Sequence, residues 1–285
     1  MLAWVTPMSS DLTVSFTARA IDAVRTVASQ EILPRYRSVD ATRKDDGSLV
    51  TEADFASQDA LVRRLRVVED VPMVGEEMTA REQQAAFDCG GRFWCIDPLD
   101  GTSNFSKGIP FFAISVALME DERPIFGIVY EPIGDEAFFA VRGAGAWLNH
   151  RPLVVPSSTP TLADAIAEVS LRRDMSALRT ALKHRKPYRK RLTSGSSALS
   201  WCHLAAARVD VMLHSGQKMW DYAAGALVLE EAGGVLAALE QDDFWAAPIW
   251  KRSAIAARSA ALMDEWRSWI RREMETPQSD AGANL

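Results

Sequence analysis

The feature that most constrains this fold is the run DPLDGT at residues 97–102. A predicted strand over residues 92–96 leads directly into it, so its first acid comes at the end of that strand. Pro98 cannot continue a hydrogen-bonded ladder or an ordinary helix interior, and we expect it to force a rigid turn. That turn can aim two carboxylates and the carbonyl of Leu99 at one point, and Gly101 lets the backbone approach a bound anion closely.

Other carboxylates have a similar placement. Glu76 and Glu77 follow a short predicted strand over residues 71–74, and Asp221 stands near the start of a predicted helix. Carboxylates that converge without basic partners repel one another, and a hard divalent cation relieves that repulsion. An all-oxygen ligand set selects Mg²⁺, Mn²⁺ or Ca²⁺ over zinc. For Asp221, a capping role at the helix start is the alternative.

The chain has a strand-rich first half and an alternating α/β second half. In the first half we predict a helix over 11–32, a turn at 44–48, a helix over 53–68, and strands over 71–74, 92–96, 111–119, 125–130, 136–141 and 146–148. In the second half we predict strands over 165–171, 188–192, 209–213, 235–238 and 253–257, and helices over 175–183, 196–207, 220–231 and 259–274. The boundary is expected near residue 156. Residues 1–156 and 157–285 would then be two halves of one compact catalytic unit.

Composition excludes several classes of protein. The 285 residues carry a net charge of −6, which argues against a protein that coats nucleic acid. No apolar window reaches the roughly 18 residues that a membrane span needs, and the first residues lack the basic region of a signal peptide. The three cysteines match no zinc spacing and are interpreted as reduced, partly buried thiols of a cytoplasmic protein. The small polar residues 276–285 predict a frayed terminus.

Three motifs carry a family resemblance. GEE at 75–77, DPLDGTSNF at 97–105 and WDYAAG at 220–225 resemble the signature motifs of the inositol monophosphatase family, in order and suitably spaced from about Thr13 to Arg271. Two further segments, at 49–54 and 127–153, are also similar to that family. The resemblance implies an α-β-α-β-α layered sandwich, a Mg²⁺-dependent, Li⁺-sensitive phosphomonoesterase and, usually, a homodimer.

The resemblance also implies roles for individual residues. The implied metal ligands are Glu76, Asp97, the carbonyl of Leu99, Asp100 and Asp221. The residues implied in orienting and activating the attacking water are Glu76, Thr102 and Asp54. Those implied on the phosphate side are Lys44, Asp100, Gly101, Thr102 and Asp221. Two or three Mg²⁺ ions would bind, with Mn²⁺ as an alternative and with Ca²⁺ and Li⁺ as inhibitors.

The substrate side departs from the family pattern. Inositol-preferring members have a Glu seven residues before the WD aspartate, where this chain has His214. The following residues up to Lys218 include no acid, so this segment favours a substrate with an extra anionic group. A polar strand-end role for His214 is the alternative interpretation. Gly195, Ser196 and Ser197, at a strand-to-helix turn, are predicted to form the opposite wall of the pocket.

Three functions remain open. The first is hydrolysis of a small phosphorylated metabolite, with inositol monophosphate as the first candidate. The second is hydrolysis of another small phosphate: histidinol phosphate, a 3′-phosphonucleotide or fructose bisphosphate. The third is a regulatory role, because some family members act as partners of the transcription machinery.

Residues 183–191, from Lys183 to Arg191, hold six basic residues. They are a solvated loop, a steering patch for phosphates, or a contact for RNA or protein.

Overall fold

The computed structural model describes residues 12–44, 47–156, 158 and 160–275. Its helices are α1 (Val14–Val27), α2 (Glu52–Val68), α3 (Ala80–Phe87), α4 (Thr102–Ser106), α5 (Ser176–His184), α6 (Ser197–Ala205), α7 (Met219–Glu231) and α8 (Ala260–Glu275). Its strands are β1 (Thr42–Arg43), β2 (Leu49–Val50), β3 (Met73–Gly75), β4 (Phe93–Asp100), β5 (Ala113–Glu120), β6 (Arg123–Glu131), β7 (Glu136–Val141), β8 (Gly145–Leu148), β9 (Arg151–Leu153), β10 (Ile166–Ser170), β11 (Lys190–Leu192), β12 (Val211–Lys218), β13 (Val235–Ala237) and β14 (Lys251–Ala257).

Two mixed sheets and the helices around them form five layers. The seven strands β3 to β9 pair in chain order, and all but the parallel pair β3–β4 are antiparallel. The second sheet has the order β11-β10-β12-β14-β13, with β10 parallel to β11 and β12. Helices α1 and α2 cover the first sheet, α6 and α7 fill the space between the sheets, and α5 and α8 cover the second. The predicted α-β-α-β-α sandwich is confirmed.

Strand β5 shows why the layers form as they do. Ile114 and Val116 point into the core below α1 and α2, whereas Ala113 and Ala117 face the helices between the sheets. These small side chains allow α7 to lie close to the sheet, and the hydroxyl of Ser115 donates to the carbonyl of Trp220 at 3.0 Å. The alternation of residue size along one strand therefore places the start of α7 against the first sheet.

The predicted ends of strands β4 and β12 were wrong. Strand β4 does not end in a turn before Pro98 but continues to Asp100, with a register shift between Asp97 and Asp100. The proline is tolerated because this irregularity interrupts the ladder that its missing N–H could not join. Strand β12 runs to Lys218, beyond the predicted end at residue 213, with a second shift after His214.

Helix α3 was not predicted. Thr79 and Glu82 form a capping box at its start, with the Glu82 carboxylate accepting from the backbone N–H of Thr79 at 2.8 Å. A Thr followed three residues later by a Glu is a local helix-start signal, so the sequence contained the evidence for this helix. The α-helical part of the first predicted helix ends at Val27. Residues Ala28–Ile32 follow it as one π-helical turn.

Other expectations have mixed outcomes. The start of the first helix at Asp11 and the fraying of residues 276–285 lie outside the described residues. Cys95 and Cys202 are buried free thiols, whereas Cys89 is exposed rather than partly buried. Among the residues with assigned structure, no helix is both long and apolar enough to cross a bilayer. One apolar core combines residues from both sides of residue 156, and the division there stays a prediction.

Candidate active site

A polar cavity of about 210 Å³ opens where the two sheets and α7 meet. Predicted site residues line it: Glu76, Asp97, Leu99, Asp100, Gly101, Thr102, Gly195 and Asp221. A larger cavity of about 320 Å³ lies between α1 and the β7–β8 strands, but its walls are mostly apolar. The smaller cavity is therefore the candidate active site, because catalysis needs convergent polar groups.

Three acids form the centre of this cavity. One carboxylate oxygen from each of Asp97, Asp100 and Asp221 lies within 4.8 Å of the others, and we call these residues the acid cluster. Burial, followed by the negative charge of Glu76, raises the pKa of Asp97 well above its usual range. Burial also raises the pKa of Asp100 to about 6 and that of Asp221 well above normal. Buried carboxylates this close fit a hard divalent cation, which would replace repulsion by coordination.

Asp100 is held by the start of α6. Its Oδ2 accepts from the hydroxyl of Ser196 and from the N–H of Ala198 at 2.8 Å, and its Oδ1 accepts from the N–H of Ser197 at 3.2 Å. The positive end of the helix dipole favours this carboxylate. Ser196 and Ser197, predicted as pocket wall, thus contact Asp100 directly in this structure. Gly195 lines the cavity beside them.

Asp97 and Asp221 are held by nearby backbone. The N–H of Leu99 donates to Asp97 Oδ1 at 3.0 Å, across the irregularity in β4. The N–H of Lys218 donates to Asp221 Oδ2 at 2.8 Å, at the start of α7. Asp221 therefore caps its helix and also faces the cavity, and its role as a metal ligand stays a prediction.

The Thr102 hydroxyl lies between two acceptors. Its Oγ1 is 3.1 Å from Asp54 Oδ1 and 3.0 Å from the carbonyl oxygen of Leu99. Asp54 is buried at the start of α2, where its Oδ2 accepts from the N–H of Thr51 at 2.7 Å. Burial raises the pKa of Asp54, while hydrogen bonds from Thr51 oppose that rise. A hydroxyl has one proton, so Thr102 can donate to only one acceptor at a time.

Lys44 lies beside the two glutamates rather than against the acid cluster. Its Nζ is 2.6 Å from Glu77 Oε1 and 3.2 Å from Glu76 Oε1. Burial raises the pKa of Glu77 to about 7, against the opposing effect of Lys44. Glu76 lines the cavity but is not one of the three acids that meet within 4.8 Å. Residues 45 and 46 of the Lys44 hairpin lie outside the described residues.

Three supporting residues were missed by sequence reasoning. Ser57 Oγ donates to the carbonyl of Pro98 at 2.8 Å, and Gln58 Oε1 accepts from the N–H of Glu77 at 3.0 Å. Both follow Asp54 by three or four residues and so share its helix face, which was a usable signal. Asn104 Nδ2 donates to the carbonyl of Ser194 at 2.8 Å. A local sequence pattern cannot predict this contact, because its two residues lie far apart in the chain.

His214 lies apart from the cavity lining. It is half-buried in β12, and its Nδ1 accepts from the N–H of Gly216 at 3.2 Å. Burial lowers the pKa of His214 to about 4, so its side chain is neutral at pH 7. The position at which inositol-preferring relatives carry an acid therefore has no negative charge here.

Comparison with known proteins agrees with this geometry. A family model described as the inositol monophosphatase family matches residues 13–273. "Nus factor SuhB" of Haemophilus influenzae is 35% identical over 240 residues, covering 81% of this chain and 85% of that protein. "Inositol monophosphatase" of Mesembryanthemum crystallinum is 34% identical over 231 residues, covering 78% and 84%. The solved Thermotoga maritima IMPase superposes with a TM-score of 0.79 at 27% identity, covering 92% of this chain and 99% of that one.

Proposed function

Because this chain belongs to the inositol monophosphatase family and is a phosphoric monoester hydrolase, we propose that it hydrolyses a small phosphate monoester with Mg²⁺ as its cofactor. The observation that carries this proposal is the acid cluster, with two buried carboxylates and one half-buried carboxylate at one point of a polar cavity. Inositol monophosphate is the first candidate substrate. Histidinol phosphate, a 3′-phosphonucleotide and fructose bisphosphate are the alternatives.

The reaction needs one bond made and one broken. A water oxygen attacks phosphorus, the ester P–O bond breaks, and the leaving alkoxide takes a proton to give an alcohol and inorganic phosphate. Two or three Mg²⁺ ions on the acid cluster, Glu76 and the carbonyl of Leu99 would neutralise phosphate charge and lower the pKa of water. Glu76 and Thr102 would orient and activate the water, and the carboxylate of Glu76 would accept its proton. Asp54 would hold the Thr102 hydroxyl in place.

The proposal is tested by phosphate release from a small panel of phosphorylated metabolites. We expect activity at millimolar Mg²⁺, weaker or comparable activity with Mn²⁺, and inhibition by Ca²⁺ and Li⁺. Ca²⁺ prefers more ligands at longer distances, and Li⁺ carries half the charge, so neither reproduces the geometry and charge of Mg²⁺. Removal of divalent ions by a chelator serves as the control. An enzyme active only with zinc and insensitive to Mg²⁺ and Li⁺ would contradict the proposal.

A regulatory role is the second candidate. It is favoured by relatives named "Nus factor SuhB" and by the exposure of basic residues between 183 and 190. In this stretch Arg185 pairs with Glu273, and Arg191 donates to the carbonyl of Val169 at 2.6 Å, so part of its charge serves the fold. Partners from the transcription machinery, or RNA, that still bind an Asp100→Asn variant would support a role separate from catalysis.

We further propose that the protein is a cytoplasmic homodimer. Ile109, Phe111 and Leu192 are exposed apolar residues, and Asn104 joins their segments by donating to the carbonyls of Phe111 and Ser194. Such a group of apolar side chains is suited to contact with a second copy. Light scattering after gel filtration tests the dimer, and a Phe111→Ser variant should shift it towards monomer. A monomeric wild-type protein at micromolar concentration would refute the proposed dimer. Cell fractionation tests the proposed cytoplasmic location.

A further inference from the structure

Cationic side chains collect at one edge of the five-stranded sheet. Strands β10, β11 and β12 are parallel, so their carboxyl ends lie at the same edge, and the antiparallel β14 begins there. Arg172 follows β10, Lys218 ends β12 and Lys251 begins β14, and we call these three residues the cationic rim. The same edge supplies Gly195 and Asp221 to the active-site cavity. The cationic rim therefore lies at the sheet edge that supplies two residues to the candidate active site.

Two of these cations meet over Gly216. A Cβ atom at this glycine would lie 3.0 Å from Lys251 Cε and 3.7 Å from Arg172 Nη1. Both side chains thus converge over the same point of the β12 backbone. The N–H of Arg172 donates to the hydroxyl of Ser215 at 2.7 Å, which ties the arginine to this strand end. Lys218 and Lys251 are paired neighbours on β12 and β14.

The positive charge of the cationic rim is only weakly compensated. Arg172 pairs with Asp174, but both side chains are about half exposed, and an exposed pair contributes little. Lys218 and Lys251 are exposed, and neither lies within ion-pair distance of an acid among the described residues. Lys218 Nζ lies 5.8 Å from the centre of the Trp220 ring, and its charge opposes the rise in the pKa of Asp221. His214, on the same strand, is neutral at pH 7 because burial lowers its pKa. Cations that converge with so little counter-charge provide a binding site for an anion.

We propose that Arg172, Lys218 and Lys251 bind a second anionic group of the substrate, so that the enzyme prefers small phosphate monoesters that carry another phosphate. This inference rests on the proposed function. The scissile phosphate binds at the acid cluster, and the second anionic group binds over Gly216. Sugar bisphosphates and nucleoside bisphosphates fit this requirement. The inference therefore ranks these bisphosphates above inositol monophosphate and histidinol phosphate, which carry only one phosphate, among the candidate substrates.

The experiment compares matched substrates that share the scissile phosphate and differ in the second one. The pairs are fructose 1-phosphate with fructose 1,6-bisphosphate, and adenosine 3′-phosphate with adenosine 3′,5′-bisphosphate. For each we measure kcat/KM at saturating Mg²⁺ and identify which phosphate is released. In the wild-type protein we expect kcat/KM to be at least about tenfold higher for the bisphosphate. The difference should lie mainly in KM, because charge-assisted contacts strengthen substrate binding.

Two double variants complete the design. Arg172→Gln/Lys251→Gln should reduce the preference to about twofold or less, since the two cations that meet over Gly216 are lost and only Lys218 remains. Arg189→Gln/Lys190→Gln removes the same charge from exposed positions around β11 and should keep the preference. The ratio within a substrate pair cancels any partial loss of folded enzyme. A Lys251→Gln single variant, with an intermediate ratio, checks that both cations contribute.

The outcomes separate this inference from the proposed function. Equal kcat/KM values within each pair in the wild-type protein would overturn the inference and leave the phosphatase intact. A preference that survives Arg172→Gln/Lys251→Gln would also overturn it, as would turnover of inositol monophosphate but of neither pair. If no phosphate ester in the panel is hydrolysed with Mg²⁺, the proposed function fails and the inference fails with it.

Discussion

The acid cluster lines the active-site cavity and the cationic rim lies at the sheet edge next to Asp221, but the two groups differ in burial. Asp97 is 1% exposed and Asp100 is 8% exposed, whereas Lys218 and Lys251 lie at the surface. Buried charges interact strongly because little solvent screens them, while exposed charges are weakened by water and salt. The comparison indicates a division of tasks. Under the proposed function the acids determine which bond is cut, and under the further inference the exposed cations select the substrate.

The largest expected effect comes from Asp100→Asn in the acid cluster. The amide keeps the size of the carboxylate and can still accept from α6, but it loses the charge that a metal requires. We expect phosphate release to fall by about 10² to 10³ or more, with the circular dichroism spectrum unchanged. Asp264→Asn, an exposed acid on α8, is the matched control. Wild-type turnover of Asp100→Asn with Mg²⁺ would show that the site is assigned wrongly.

The next effect concerns the contact that brings α7 to the first sheet. A Cβ atom at Gly127 on β6 would lie 2.8 Å from the Cα of Ala224, so Gly127→Ala must displace the helix that carries Asp221. Overpacking of this kind costs about 1–3 kcal/mol. We expect a matching loss in the free energy of unfolding, measured in urea, and a fall in kcat. If stability and kcat are both unchanged, α7 is not seated on β6 as described.

A smaller effect is expected from pH in the metal-free protein. Burial raises the pKa of Asp100 from 3.8 to about 6, so the folded state holds this proton more tightly than the unfolded chain. The contribution of Asp100 to stability therefore falls as pH rises from about 4 to about 6. In a chelator, the melting temperature of Asp100→Asn should rise relative to wild type over this window, by a few degrees.

Mg²⁺ should reverse that relation at neutral pH, because the metal stabilises only the protein that can bind it. Differential scanning calorimetry of both proteins, with and without Mg²⁺, measures the four melting temperatures required. If the difference in melting temperature between the two metal-free proteins does not vary between pH 4 and 7, the pKa of Asp100 is not raised.

The smallest effect belongs to the cationic rim. Raising the ionic strength from about 0.05 to about 0.5 M shortens the screening length several-fold. We expect KM for a bisphosphate to rise a few-fold more than KM for its monophosphate partner, with little difference between the two in kcat. The Arg172→Gln/Lys251→Gln variant should lose this difference. If salt affects both substrates equally in the wild-type protein, the exposed cations do not contact the second anion.

Much of the fold was predictable because its signals are local. The alternation in β5, the start of α2 after Thr51 and the helix from Met219 that bears Asp221 are each recorded in a few neighbouring residues. The course of β4 through Pro98 was not predictable, because tolerance of a proline depends on the register of the strand beside it.

Sequence pattern alone was sufficient to identify the family and the acids that meet in the cavity, because each acid belongs to a short motif that local residues define. Tertiary structure was needed to show that α6 holds Asp100, that Lys44 pairs with Glu77, and that Arg172 meets Lys251 over a glycine. The reason is physical. These contacts join segments that lie far apart in the chain, and their energy depends on burial and on distances that exist only once the sheets have packed.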